Sequence, residues 1–369
     1  MTKHGLYVTA GGFSLVNERL KEALWVATPD FEWSCFDAAN DTFRDRPGSK
    51  LISQLQAAVR FAPVMAKHRI PPGDLMVRMP YFQKCLSRAL ISSAKNCDFT
   101  LQTQSLFDAR IPGIPNFLYT DHTYLANCRY NPPRSTWPAS RTWREMEASL
   151  YKQARVCFTT SRFAADSIVE DYGVPREHVE VIHSGCNTDL PPSITRPERL
   201  PRRILFVGVE WERKGGPVLL EAFNEVRKRF PDASLDVVGC RPAVSAEGVF
   251  IHGRVERALV PSFLEKADVF CLPSLAEPSA AALVEASAFA LPVLATRVGG
   301  TPERVVDGET GILVAPNDVS ALAKALCHLM EDGRRAYEMG ARGREFALRE
   351  FTWTAVAKKM AKRLREELL

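Results

Sequence analysis

Long apolar runs are missing from this sequence. No stretch reaches the roughly 18 residues that a membrane-crossing helix needs. The opening, MTKHGLYVTAGG, lacks the apolar core of a secretory signal and enters a strand pattern directly. The nine cysteines are scattered, with no Cys-x-x-Cys and no tight Cys/His cluster. That argues against a disulfide framework or a zinc site and for reduced thiols in a cytosolic protein. Charge of one sign is not in large excess, since the formal net charge is only +5, too mild to mark a nucleic-acid partner. His-Glu-x-x-His, the Walker A pattern, Gly-x-Ser-x-Gly and Gly-x-Gly-x-x-Gly are all absent, as are internal repeats and low-complexity segments. Zinc proteases, P-loop NTPases, serine hydrolases and dinucleotide-binding domains are therefore left without their usual signatures. The expected location is the cytoplasm, with peripheral contact at the inner face of the membrane left open.

What is present is an ordinary globular composition, 46% hydrophobic and 25% charged over 369 residues, a length that suits two domains. The most informative stretch is 277–311, EPSAAALVEASAFALPVLATRVGGTPERVVDGETG. Glu277 and Glu285 lie eight positions apart, separated by the small-residue run Ser279-Ala280-Ala281-Ala282. That run reads as a helix start with Ser279 as N-cap. The unpaired N–H groups and positive dipole end there favour an anion such as phosphate. Glu285, further along the helix, is suited to accepting paired hydrogen bonds from a diol such as a ribose. A buried-strand pattern over 292–295 and a glycine loop, Val298-Gly299-Gly300-Thr301-Pro302-Glu303, follow. A helix N-terminus beside such a loop is a common cradle for a nucleotide diphosphate in an α/β sheet.

The stretch resembles the Glu-x7-Glu signature of the retaining family-four glycosyltransferases. LPSLAEP precedes it, and the EA, PV, GGTPE, DG and GILVAP elements follow in the family's order. The resemblance runs along nearly the whole chain and is strongest over 204–316. It implies a GT-B fold, in which two Rossmann-like, doubly wound α/β domains face a central cleft and a C-terminal helix crosses back to the first domain. It also implies transfer of a sugar with retention of anomeric configuration, without a metal. The Asp-x-Asp metal–nucleotide device of the other main glycosyltransferase fold is absent.

Strand, glycine turn and helix patterns over 5–10, 11–12 and 14–27 open the first domain, with a second strand at 31–36. The Gly11-Gly12 loop is either a tight βα turn or, by the resemblance, part of the donor and acceptor cleft. Residues 50–95 carry eight lysines and arginines against one acid, Asp74. Within them Leu51, Leu55, Ala58, Val59 and Ala62 share one helical face. This face either packs on the core or rests on an anionic membrane. Further strands are expected at 97–100 and 116–120. The second delivers Tyr119-Thr120-Asp121-His122-Thr123-Tyr124, which resembles the family motif whose histidine faces the donor sugar. Asp121 is a lesser helper. A helix at 140–153, a strand at 156–159, an N-cap at Ser161, a glycine stop at Gly173 and a strand at 179–183 finish the domain. It is expected to span 1–190, with a proline- and arginine-rich linker over 191–203.

The second domain, 204–350, begins with a strand at 204–208 and the turn Glu210-Trp211-Glu212-Arg213-Lys214-Gly215-Gly216. A lysine beside a glycine turn at a helix start meets phosphate with charge and backbone N–H groups together. In the family this lysine contacts the donor diphosphate, and Lys214 holds that place. Where the family commonly carries an arginine after the strand-ending glycine, this chain has Val209, so Arg213 is the substitute to examine. Strands at 235–239 and 249–253 bring Arg241 and Arg254 to loops that hold the base in relatives. A strand at 267–273 delivers Glu277. The helix at 352–369 forms the crossover segment, 351–369.

These readings combine into an enzyme that moves a hexose-type sugar from a nucleoside diphosphate sugar to an acceptor hydroxyl. The acceptor would be a glycan, a lipid-linked sugar or a small molecule. No cofactor is implied beyond the nucleotide-sugar co-substrate, no metal, and no nucleic-acid partner. Glu277, His122 and Lys214 are the candidate catalytic residues. Lys214, Arg213, Glu285, Ser279, Ala280, Ala281, Gly12 and Arg254 are the candidate donor ligands. The family usually reads Glu-x-Phe-Gly where this chain has Glu277-Pro278-Ser279-Ala280, so no donor identity carries over. The alternatives are a GT-B epimerase or hydrolase and a non-catalytic sugar-nucleotide-binding protein.

Overall fold

The computed structural model describes residues 2–10, 15–44, 47–68, 72–94, 96–130 and 140–369. The chain forms two compact units, Met1–His183 with Val356–Leu369, and Ser184–Ala355.

In the first unit the elements run β1 (Lys3–Thr9), α1 (Leu15–Ala27), β2 (Phe31–Asp37), α2 (Pro47–His68), α3 (Pro72–Met76), α4 (Pro80–Ser93), β3 (Phe99–Thr103), β4 (Asn116–Thr120), α5 (Tyr124–Cys128), α6 (Arg141–Gln153), β5 (Val156–Thr159), α7 (Arg162–Glu170) and β6 (Val179–Val181). The sheet order is β2-β1-β3-β4-β5-β6, with every neighbouring pair parallel. All residues of β3, β4 and β5 are buried, as expected for a parallel sheet covered on both faces. β3 begins later than the sequence pattern suggests. Cys97 closes a turn onto Ala94, and Asp98 N–H makes the first bond to the next strand, at His4 O. β6 ends at Val181, because His183 takes a φ of +69° and leaves the extended region.

α2 does not pack its predicted apolar stripe on the core. Ser53, Ala57 and Phe61 face the core, whereas Leu51, Leu55 and Val59 are 59%, 56% and 83% exposed. The stripe predicted from spacing is therefore a solvent face, one step around the helix from the buried one. Among the described residues, no helix is long and apolar enough to cross a membrane.

The second unit contains β7 (Arg203–Val207), α8 (Gly216–Arg229), β8 (Ser234–Val238), β9 (Val249–Gly253), α9 (Val260–Lys266), β10 (Val269–Leu272), α10 (Ala281–Ala288), β11 (Val293–Thr296), β12 (Gly311–Val314), α11 (Val319–Glu331) and α12 (Gly333–Glu350). Its sheet order is β12-β11-β10-β7-β8-β9, parallel throughout. The last helix, α13 (Trp353–Leu368), starts in this unit and from Val356 onward belongs to the first. There Arg365 pairs with Asp30 at 2.5 Å and donates to Ala27 O at 2.9 Å.

Candidate active site

A parallel sheet that grows outward from its first strand in both directions must reverse its connections once. The loops leaving the two strands at that point diverge and open a crevice at their C-terminal ends. In the second unit the reversal falls between β7 and β10. Lys214 lies on the loop after β7 and Glu277 on the loop after β10, so these two residues, distant in sequence, meet there.

Lys214 Nζ lies 2.7 Å from Glu277 Oε2. The lysine stem runs across Gly208, where a Cβ would come within 2.4 Å of Lys214 Cδ. Gly215 takes φ +74°, and a Cβ on it would meet Pro273 O at 1.8 Å, so the two loops close up only over glycine. Glu277 is 6% exposed. It accepts from Ser274 Oγ at 3.3 Å and from Ala280 N–H at 3.3 Å, and its carbonyl accepts from Gly300 N–H at 2.9 Å. Arg213 does face the site. Its Nη1 donates to Ala276 O at 2.6 Å and lies 3.6 Å from Glu277 Oε2, while its Nε bonds Glu210 at 2.7 Å.

The helix start differs from the predicted one in a telling way. α10 begins at Ala281, and Ala280, not Ser279, is the residue before it, left-handed at φ +50°. Ser279 Oγ caps no amide there and is hydrogen-bonded instead to Ser184 Oγ at 3.0 Å. Glu277 performs the cap-like service by receiving Ala280 N–H. The backbone of Ala280 and Ala281 is thus presented beside the Lys214–Glu277 pair.

For Glu285, on α10, the Thr188 side chain, the Asn187 backbone and the charges of Arg257 and Lys214 favour the ionised form. Loss of hydration outweighs them and raises its pKa above the ordinary glutamate value. At the other end of α10, Arg196 donates to Phe289 O at 2.6 Å and Arg344 to Ala288 O, cations against the negative end of the helix dipole. Val209, Trp211, Gly239, Arg241 and Arg254 line a cavity of about 740 Å³ at the C-terminal ends of β7, β8 and β9. Arg241 and Arg254 are both exposed at its walls.

In the first unit, His122 follows β4, and its Nδ1 lies 2.6 Å from Asp121 Oδ1. Its carbonyl accepts from Thr120 Oγ1 at 2.9 Å and Tyr151 Oη at 3.4 Å. Gly12 falls outside the described residues. Beneath the His122 loop is a buried carboxylate that sequence reasoning missed. Glu147 accepts from Tyr124 N–H, Ser105 Oγ, Tyr151 Oη and, at 2.5 Å, Tyr172 Oη, and burial raises its pKa. A second missed residue is Arg304, 1% exposed behind the Ser279 turn. Only packing reveals either, since both read as surface charges in the sequence.

The sequence model for Glycosyl transferases group 1 matches residues 201–332, and that for Glycosyltransferase Family 4 matches residues 52–190. The chain belongs to the family-four glycosyltransferases. Among its family relatives is the D-inositol 3-phosphate glycosyltransferase of Corynebacterium diphtheriae, 32% identical, with 66% of this chain and 63% of that one aligned. Another is the GDP-mannose-dependent alpha-(1-6)-phosphatidylinositol monomannoside mannosyltransferase of Mycolicibacterium smegmatis, 36% identical over 41% of this chain and 44% of that one. The chain thus spans less than two thirds of the length of these relatives. The sucrose-phosphate synthase of Thermosynechococcus elongatus superposes with a TM-score of 0.70 over 99% of this chain and 98% of that one, at 19% identity. With two six-stranded parallel sheets flanked by helices, the family's fold is the two-domain Rossmann-like GT-B fold.

Proposed function

We propose that this chain transfers a hexose-type sugar from a nucleoside diphosphate sugar to an acceptor hydroxyl, with retention of configuration. The observation that carries the reading is the meeting of Lys214, Glu277 and the start of α10 at the strand-order reversal of the second sheet. The chemistry asks for stabilisation of charge growing on a departing diphosphate. Lys214 and Arg213 supply fixed cations, and the first N–H groups of α10 supply oriented dipoles. Glu277 orients sugar hydroxyls or supports positive charge at the anomeric carbon, and Lys214 lies against it at 2.7 Å. Glu285 receives the ribose diol. The cavity between Arg241 and Arg254 takes the base. In the first unit, His122 is steadied by Asp121. The inositol-phosphate and mannosyl chemistry in the relatives' names favours phosphorylated or lipid-borne polyols as acceptors.

The deciding experiment is calorimetric titration of UDP, GDP and ADP into the wild type and Lys214→Ala. One nucleotide binds, and the variant loses about 1.5–3 kcal/mol, the usual range for a hydrogen bond to a charged group. A wild type that binds none of the three, with or without acceptor present, overturns the reading.

The acceptor side has its own support in α2. The helix carries no acidic residue, exposes Leu51, Ile52, Leu55 and Val59, and bears Lys50 and exposed Arg60. Lys84 and Arg88 of α4 add exposed positive charge nearby in sequence, and α4 too has no acid. An apolar face bordered by cations matches an anionic lipid surface, which would present a lipid-linked acceptor to the first unit.

A further inference from the structure

Ala280 occupies a conformation that costs energy for any residue with a Cβ. Such a residue persists only where its surroundings fix it from several sides. Glu277 Oε1 holds the Ala280 amide, and Ser184 holds the Ser279 hydroxyl. The third restraint is Arg304. Its Nε donates to Ser279 O at 3.1 Å and its Nη2 to Ser184 Oγ at 3.2 Å. Its guanidinium lies 4.4 Å from the centre of the Phe351 ring, and Phe351 is itself tied by its carbonyl to Cys186 N–H at 2.9 Å. One buried cation therefore joins the turn before α10 to Ser184 and to the segment leading into α13.

We propose that Arg304 is a positioning residue for the donor. By fixing the Ser279 carbonyl it holds Ala280 left-handed, and so aims the first N–H groups of α10 at the diphosphate. The inference rests on the donor site described under Proposed function. Arg304 acts through the turn and does not touch the ligand.

The test is calorimetric titration of UDP, GDP and ADP, with thermal unfolding alongside, on the wild type, Arg304→Met, Arg304→Lys and Arg304→Met combined with Ala280→Gly. Whichever diphosphate the wild type binds is expected to bind Arg304→Met at least tenfold more weakly. Adding Ala280→Gly is expected to recover several-fold of that loss, because glycine adopts the left-handed turn without strain. A general loss of stability would not be repaired in affinity by that change. If Arg304→Met does not fold, Arg304→Lys decides, with an expected loss of three- to tenfold, since lysine cannot bridge the carbonyl and the hydroxyl together. Wild-type affinity in a folded arginine variant, or no recovery with glycine, overturns the proposal alone. A wild type that binds no nucleotide overturns the donor site and this inference with it.

Discussion

Lys214 Nζ and Glu277 Oε2 lie 2.7 Å apart, and the glutamate is 6% exposed. On the proposed donor role, the carboxylate would share ground with an incoming phosphate, and the lysine would then serve two partners where it now serves one. Glu277→Gln is expected to bind the nucleoside diphosphate several-fold more tightly, because one negative charge near the anion is gone. Sugar transfer is expected to fall on the order of a hundredfold, as for loss of a preorganised electrostatic contact. Calorimetry and initial-rate kinetics on the same preparation separate the two effects. Weaker nucleotide binding would remove Glu277 from the vicinity of the phosphate.

Glu285 gives a pH dependence. Burial raises its folded pKa above the ordinary glutamate value. On the proposed role of Glu285 as the ribose acceptor, the ionised form is present above the raised value and lost as pH falls through it, so donor affinity is expected to drop on the acid side. Glu285→Gln should lack that limb. Linkage gives a second sign: the folded state takes up this proton more readily than the unfolded state, so the ionised carboxylate destabilises the fold at neutral pH, and that cost fades as pH falls. Denaturant unfolding of Glu285→Gln at pH 7 should show equal or greater stability than the wild type.

α10 ends in a Schellman arrangement with the wrong residue at its left-handed position. Ala290 N–H bonds Ser287 O at 2.8 Å, Leu291 N–H bonds Ala286 O at 3.2 Å, and Ala290 takes φ +55°. Ala290→Gly is expected to raise stability by about 0.5–1 kcal/mol, the relief of left-handed strain less the added freedom of the unfolded chain. Urea unfolding measures it. A destabilised variant would show that the alanine methyl packs usefully there.

The exposed face of α2 is testable without touching the donor site. Val59 is 83% exposed, so Val59→Asp should change stability by no more than about 0.5 kcal/mol. Co-sedimentation with vesicles of phosphatidylcholine containing phosphatidylglycerol is expected for the wild type, and should be lost in the variant and in high salt. Equal sedimentation of both proteins would sink the lipid-surface reading.

Much of the fold was legible because parallel strands buried on both faces leave short apolar runs between glycine and proline punctuation. The ranges of β4, β5 and β9 follow directly from such runs. The meeting of Lys214 and Glu277 follows from strand order. The helix start at Ala281 was not, because Ser279 has the chemistry of a cap and only the left-handed Ala280 displaces it. The face of α2 was ambiguous because two apolar stripes share one helix, and spacing cannot tell which the core takes. Arg304 and Glu147 were missed for a common reason: a buried charge is recognised by the partners that surround it, and those come from distant segments.

The division of the first unit into residues 1–183 and 356–369 sets an order on its assembly. During synthesis β1 to β6 emerge first, but the partner of Asp30, Arg365, arrives only after the whole of the second unit has been made. Until then the seat of α13 at the end of α1 is uncovered, so the first unit cannot complete its contacts before the second has been made.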